Sequence, residues 1–257
     1  MQYDKHKLAR EKFNDIDSNP RKYLIIHYSC DSFYDTVEGK SPRITSIAVY
    51  DYGSGQTASF SLHRIAEQED VNMVAENFDR LEKKMLEGFF AYAKEHSSCL
   101  WIHWNMRDSN FGFNAIEHRY SVLRGKPYKI PDQQKIDLSR ELINYYGANY
   151  IDHPRMEKLL QYNDIRVKDY LSGPQEAEAF RKGEYVRVHM STLRKVTVFA
   201  EILDRAINNT LKVKSKWHEA HGLTFQGIFN WCRERWWIQL IWSVLMLFAG
   251  TLIEKMI

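Results

Sequence analysis

The stretch YLIIHYSC, residues 23–30, has no charged side chain and does not alternate apolar with polar residues. Over strand length, that pattern fits a strand buried on both faces rather than one with a wet side. Such a strand needs other elements layered on each side of it, so the chain has to build an α/β fold, a sheet covered by helices. With 257 residues there is room for one large domain of this kind and an appendage.

Ahead of this strand, residues 1–21 read as a charged lead-in of helical composition, halted at Asn19-Pro20. After it, RITSIAVYDYGSGQTASFSLH holds two alternating runs around Gly53-Ser54-Gly55, which predicts an antiparallel hairpin. The glycines resemble a phosphate loop in composition, but between two strands they read as a turn. NFDRLEKKMLEGFFAYAKEH then spaces Leu81, Met85, Leu86, Phe89, Phe90 and Ala93 as the stripe of an amphipathic helix. CLWIHW follows as a fourth strand, and a helix between strands implies parallel pairing. Further on, FGFNAIEHRYSVLRG predicts a helix ended by Gly125, KIDLSRELINYYG a short strand or turn into a helix, and DHPRMEKLLQYNDI a capped helix. A Ser-Gly-Pro turn opens LSGPQEAEAFRKGEY. The long helix HMSTLRKVTVFAEILDRAINNTLK carries Leu193, Val196, Phe199, Ala200 and Leu203 on its apolar face.

The appendage is predicted at the C-terminus. WWIQLIWSVLMLFAGTLI, residues 236–253, is uncharged, and about 18 such residues nearly cross the ~30 Å hydrocarbon core of a bilayer. Trp231, Trp236 and Trp237 with Arg233 and Arg235 compose an aromatic and basic membrane belt. Only Glu254 and Lys255 lie beyond, so the positive-inside rule leaves the main domain in the cytoplasm. No apolar signal-peptide core precedes it. The expectation is a tail-anchored, single-pass protein of the inner (cytoplasmic) membrane with four parts: lead-in 1–21, main domain 22–210, a basic and aromatic connector 211–235, and the span 236–253. The connector suits either a stalk or anionic headgroups. Cys30, Cys99 and Cys232 show no CxxC spacing, which argues against a zinc site or a disulfide framework. A net charge of +3 is too small to imply nucleic acid without a local patch.

Chemistry gathers at HWNMRD, residues 103–108, where a strand gives way to a helix, the end at which open α/β sheets place their sites. With three meandering strands, a helix, a fourth strand ending in an Asn and Asp turn, and a long last helix, residues 22–208 resemble the DEDD 3′–5′ exonucleases of the ribonuclease-H-like superfamily. The resemblance implies a mixed sheet, three antiparallel strands followed by parallel ones, flanked by helices. It also implies a first-strand Asp-x-Glu, a second motif of His-Asn with an Asp shortly after, and a last-helix Tyr or His followed by Asp. Those carboxylates would hold two divalent ions that stabilise the attacking and leaving oxygens of a phosphodiester.

The letters depart from that pattern. The Asp-x-Glu positions match His27 and Ser29, and Asp31 is followed two residues on by Phe33. Asn105 and Asp108 match the second motif, one residue closer than usual. His189 resembles the general-base His, but Arg194 stands where the metal Asp would be, and a guanidinium attracts phosphate rather than metal. Only Asp108, with Asp31 or Asp137 as substitutes, remains to hold Mg²⁺ or Mn²⁺. A metal-dependent site is therefore not expected, nor any other cofactor.

If strands one and four are neighbours, His27, Ser29, His103 and Asn105 face one cleft with Asp108, roofed by His189, Arg194 and Lys195. Together with Arg107, these donors suit a phosphate, a nucleotide or a single-stranded end, with Trp104, Tyr28 or Phe33 to stack on bases. Taken singly, His27 and His103 also read as core histidines, and Asn105 and Asp108 as helix caps.

The expectation is a membrane-tethered, catalytically degenerate exonuclease-like domain that binds nucleic acid or a nucleotide. At the level of architecture this suggests bacterial defence against phage or plasmids. Two alternatives stand beside it. One is an active nuclease, metal-dependent through Asp31, Asp108 and Asp137, or metal-free with His27, His103 and His189 as acid and base beside Asp108. The other is a membrane-anchored scaffold that recruits a protein partner.

Overall fold

The computed structural model describes residues 2–32, 41–108 and 110–216, together with Glu219, Leu240 and Val244. Strand β1 (Tyr23–Cys30) is buried along its whole length because it has a neighbour on each edge and helices on each face. It lies at the centre of a five-stranded sheet of order β3-β2-β1-β4-β5. Strands β2 (Ile44–Asp51) and β3 (Thr57–Ser61) are antiparallel partners in sequence, and β2 runs antiparallel to β1. Strands β4 (Leu100–His103) and β5 (Lys135–Asp137) extend the other side in parallel. This mixed sheet flanked by helices is compatible with the ribonuclease-H-like layout, including the expected contact between strands one and four.

The pleat of β1 divides the core in two. Leu24, Ile26, Tyr28 and Cys30 pack with α3 (Ala75–Glu95) and α4 (Phe113–Val122), through Met85, Phe89 and Ile116. Tyr23 and Ile25 face α5 (Leu138–Tyr146), α6 (Arg155–Tyr162) and α8 (Tyr185–Ile207), through Leu142, Leu159, Phe199 and Leu203. Residues Gln2–Ser18 form α1, and its Phe13 and Ile16 complete this second core. Two further helices complete the chain order, α2 (Leu62–Glu69) after β3 and α7 (Gly173–Arg181) before α8.

The Gly53-Ser54-Gly55 stretch is a hairpin turn. The Asp51 carboxylate accepts from the N–H groups of Gly53 (2.9 Å) and Ser54 (3.0 Å), and Gly55 takes a positive φ of 72°. On α3, Glu82 sits within the apolar stripe. It accepts from the Ile44 N–H (2.7 Å) and from Arg119 Nη2 (2.6 Å), tying α3 to β2 and α4. Burial raises its pKa in spite of Arg119.

Cys30 is buried and Cys99 half-buried, both as free thiols. Among the described residues, no helix is long and apolar enough to cross a membrane. The expected span 236–253, apart from Leu240 and Val244, lies outside the described residues, as do Phe33, Cys232 and most of the connector.

Candidate functional site

Alternation along β1 sends His27 and Ser29 to the α8 face. Ser29 is fully buried and its hydroxyl bonds Thr192 on α8 at 2.7 Å. His27, 6% exposed, packs edge-on to Phe199 at 5.6 Å, and neither ring nitrogen has a partner among the described residues. Burial, with Lys195 second, holds its pKa well below the usual imidazole value, so the ring is neutral at pH 7. Thr192, Lys195 and Phe199 follow one another at three-and-four spacing and so share this face of α8. The Lys195 ammonium meets Glu176 of α7 at 2.7 Å, with side-chain exposures of 6% and 0%. Ser191 donates to the same carboxylate (2.6 Å) and accepts from the Leu171 N–H (3.0 Å). At the two β1 positions where the resemblance calls for acidic ligands, the protein has a sealed histidine and a serine, and beside them an ammonium already matched to one carboxylate.

His103 lies elsewhere. The parallel register pairs Ile26 with His103, which places His103 on the face opposite His27. The expected cleft joining the two does not form. His103 accepts from the Met106 N–H at Nδ1 (3.1 Å), so its proton resides on Nε2, and its ring packs against Phe113. It lines a pocket of about 390 Å³ at the carboxyl ends of β4 and β5, together with Arg107, Asp108, Asn114, Lys135, Asp137 and Arg140. Asp137 begins α5 by accepting from Ser139 N–H (3.0 Å), also accepts from Asn105 N–H (3.1 Å), and pairs with Arg107 Nε. Asn105 takes a left-handed φ of 55°, and its side chain accepts from Arg107 Nη2 (2.9 Å). Asp108 accepts from Asn110 N–H (2.8 Å) in the same loop. Neither Asn105 nor Asp108 caps α4, whose first residue follows Gly112.

The remaining sequence candidates disperse. His189 stands over β2 and β3, hydrogen-bonded to Ser46 (2.8 Å) and within 3.4 Å of Ser59, with His63 beside it. Arg194 turns to the Arg166 carbonyl. Asp31 accepts from the Arg43 N–H (2.9 Å) and pairs with the Arg43 guanidinium, so it is used structurally. Trp104 is half-buried and stacked on Phe199 at 5.9 Å, on the His27 face. Tyr28 accepts from the Gly112 N–H (2.9 Å) and stacks on Phe111, which removes it as a base platform.

These residues do not fit a pair of divalent ions, which need several hard oxygen ligands about one point. Among the described residues no group of three His, Cys, Asp or Glu side chains is placed to hold a metal. Asp108 and Asp137 line one pocket, but Asp137 is taken by Arg107, and Asp31 stands apart with Arg43. Metal-free acid and base catalysis lacks geometry too, because His27, His103 and His189 do not face a common space.

Three residues that sequence reasoning passed over define the two sites. Glu176 was hidden on a short helix, although a buried lysine on α8 implies an acidic partner. Arg140 and Asn114 sit in the first turns of α5 and α4, visible only once β4 and β5 lie side by side.

Acid should expose the buried imidazoles. Burial, helped by His63 and Arg64, lowers the His189 pKa to about 4, and burial lowers His103 in the same direction against the pull of Asp137. Unfolded imidazoles titrate near 6.5. As pH falls from about 6.5 toward 4, the unfolded chain takes up protons that the folded chain refuses, so stability drops through that window and levels off below it. The expected loss for His189 approaches about 3 kcal/mol at the plateau. Urea midpoints of the full chain at pH 7 and 4.5 measure it, and His189→Gln should shrink the difference.

No family model matches the chain, and no curated protein matches it. Among solved structures, the family B DNA polymerase from the hyperthermophilic archaeon Pyrobaculum calidifontis is similar at a TM-score of 0.44 and 15% identity, over 74% of this chain and 26% of the polymerase chain. The chain thus spans about a quarter of that polymerase's length.

Proposed function

We propose that this chain is a catalytically silent exonuclease-like domain that binds a nucleotide or a single-stranded nucleic-acid end at the carboxyl ends of β4 and β5. The observation that supports the reading is that His27 and Ser29, which match the Asp-x-Glu positions, are buried under α8, and that the carboxylate beside them, Glu176, is already paired with Lys195 at 2.7 Å. The binding half rests on the β4–β5 pocket. Its carboxylates are largely occupied, Asp137 by Arg107, Asp132 by Lys135 (2.7 Å) and Glu141 by Lys12 (2.5 Å). What remains to meet an anion is the His103 Nε2–H, the Asn114 amide and the Arg140 guanidinium, which forms no ion pair among the described residues. Arginine is suited to bidentate contact with phosphate.

The residues 236–253 would hold this domain at the cytoplasmic face of the inner membrane. A tethered module of this kind fits capture of foreign nucleic acid in bacterial defence.

Fluorescence anisotropy of the full chain in detergent, with labelled oligo-dT, oligo-U and a labelled mononucleotide, tests the reading. Arg140→Glu is expected to weaken binding roughly tenfold, the loss of one charge-assisted contact, without changing the unfolding midpoint. Equal binding by that variant would place the site elsewhere. Cleavage of either oligomer that depends on Mg²⁺ or Mn²⁺ would sink the claim of silence.

A further inference from the structure

At the β3 edge of the sheet, opposite the edge that holds the β4–β5 pocket, a groove of about 730 Å³ runs between the α2–α3 loop and the first turns of α8. Its floor is apolar. Val186 and Met190, one helical turn apart on α8, are 59% and 43% exposed, and Met73 lines the opposite wall. Large apolar side chains that meet in one concave strip mark a contact surface rather than scattered exposure. Its rim is acidic. Glu67, Asp70 and Asp169 form no ion pair among the described residues, while Arg187 is taken by Glu184 at 2.7 Å. His63 adds no charge at neutral pH, since burial lowers its pKa.

Three neighbouring backbone positions fix the lips of the groove in left-handed geometry, Asp70 (φ 54°), Asp169 (φ 65°) and Gly183 (φ 78°). The acidic groove is thus set by turns and not by long mobile side chains.

We propose that this groove docks a basic, amphipathic helix of a partner protein, its apolar stripe on Val186, Met190 and Met73 and its lysines or arginines against Glu67, Asp70 and Asp169. An apolar floor with i, i+4 spacing suits the stripe of a helix laid in a groove. The uncompensated carboxylates select positive flanks and would repel both nucleic acid and anionic lipid. The segment 33–40, FYDTVEGK, has two acids and one base, so its charge does not complement the rim. This surface is independent of the nucleotide reading, which concerns the other edge of the sheet.

The test uses the full chain in detergent and a fluorescein-labelled helical peptide of leucine and lysine with leucines at three-and-four spacing, against the same peptide with glutamate for lysine. Signal from protein-free micelles is subtracted. The lysine peptide is expected to bind at least tenfold more tightly than the glutamate peptide, and to lose at least tenfold in Val186→Glu and again in Glu67→Lys with Asp70→Lys. These positions are exposed, so thermal midpoints and oligonucleotide binding should stay as in the parent chain; Met190→Glu replaces Val186→Glu if that variant fails to fold. The proposal is overturned by absence of binding to the parent chain, by equal binding of the two peptides, or by variants that bind as well as the parent.

Discussion

Lys195→Met should destabilise the full chain by about 3–5 kcal/mol, the cost of leaving a buried carboxylate without its counter-ion. Glu176 has no exposed side-chain surface, and its Oε2 already lacks a partner among the described residues, so nothing nearby can take over from the ammonium. Ser191 would remain as the single donor to Oε1. The double variant Lys195→Met with Glu176→Leu should recover most of that loss, because two apolar side chains of similar volume can replace a buried pair at little cost. Guanidinium unfolding of parent, single and double variants gives the three numbers. A single variant within about 1 kcal/mol of the parent would mean that water reaches the pair, and the sealed-site argument would fail with it.

Rewriting β1 to the letters of a nuclease should be just as costly. His27→Asp with Ser29→Glu sets three carboxylates, counting Glu176, against one ammonium in a space where His27 is 6% exposed and Ser29 fully buried. At least one charge stays unpaired, and the hydrogen bond from Ser29 to Thr192 is lost. The expected penalty is several kcal/mol. Millimolar Mn²⁺ should leave the melting temperature of this variant unchanged, since a metal stabilises only the state that binds it. A rise of several degrees would show that α8 can retreat to admit the ion. The two experiments therefore separate a space closed by packing from one that could admit an ion once carboxylates line it.

Much of the scaffold could be read without coordinates. YLIIHYSC marked the central strand because an unbroken apolar run has no wet face to offer, and the stripe from Leu81 to Ala93 marked α3 because its period is that of a helix. The turn at Gly53–Gly55 and the long last helix followed from equally local signals. The short α2 was not legible, since Leu62 and Ala66 are its only buried residues and two apolar positions set no period. The packing of α1 was masked by charge: Phe13 and Ile16 belong to a stripe that alternates with lysines and acids.

The candidate site fared differently. Absence of Asp-x-Glu was plain in the letters His27 and Ser29, as was Arg194 in place of an acid. What those residues touch was not. Pleating fixes that His27 and Ser29 share a face, and within β4 it fixes that Trp101 and His103 do, but no local signal says how the two strands are phased. The register that sets Ile26 beside His103 is a property of the assembled sheet, and one step of slip would have put both histidines in one cleft. Likewise the chain shows Lys195 as a basic letter on a helix, whereas the distance to Glu176, nineteen residues earlier on another helix, arises from packing alone. Sequence determined which side chains stand at each position, because identities are carried by single residues; only the tertiary structure decided what they touch, because contacts are carried by pairs.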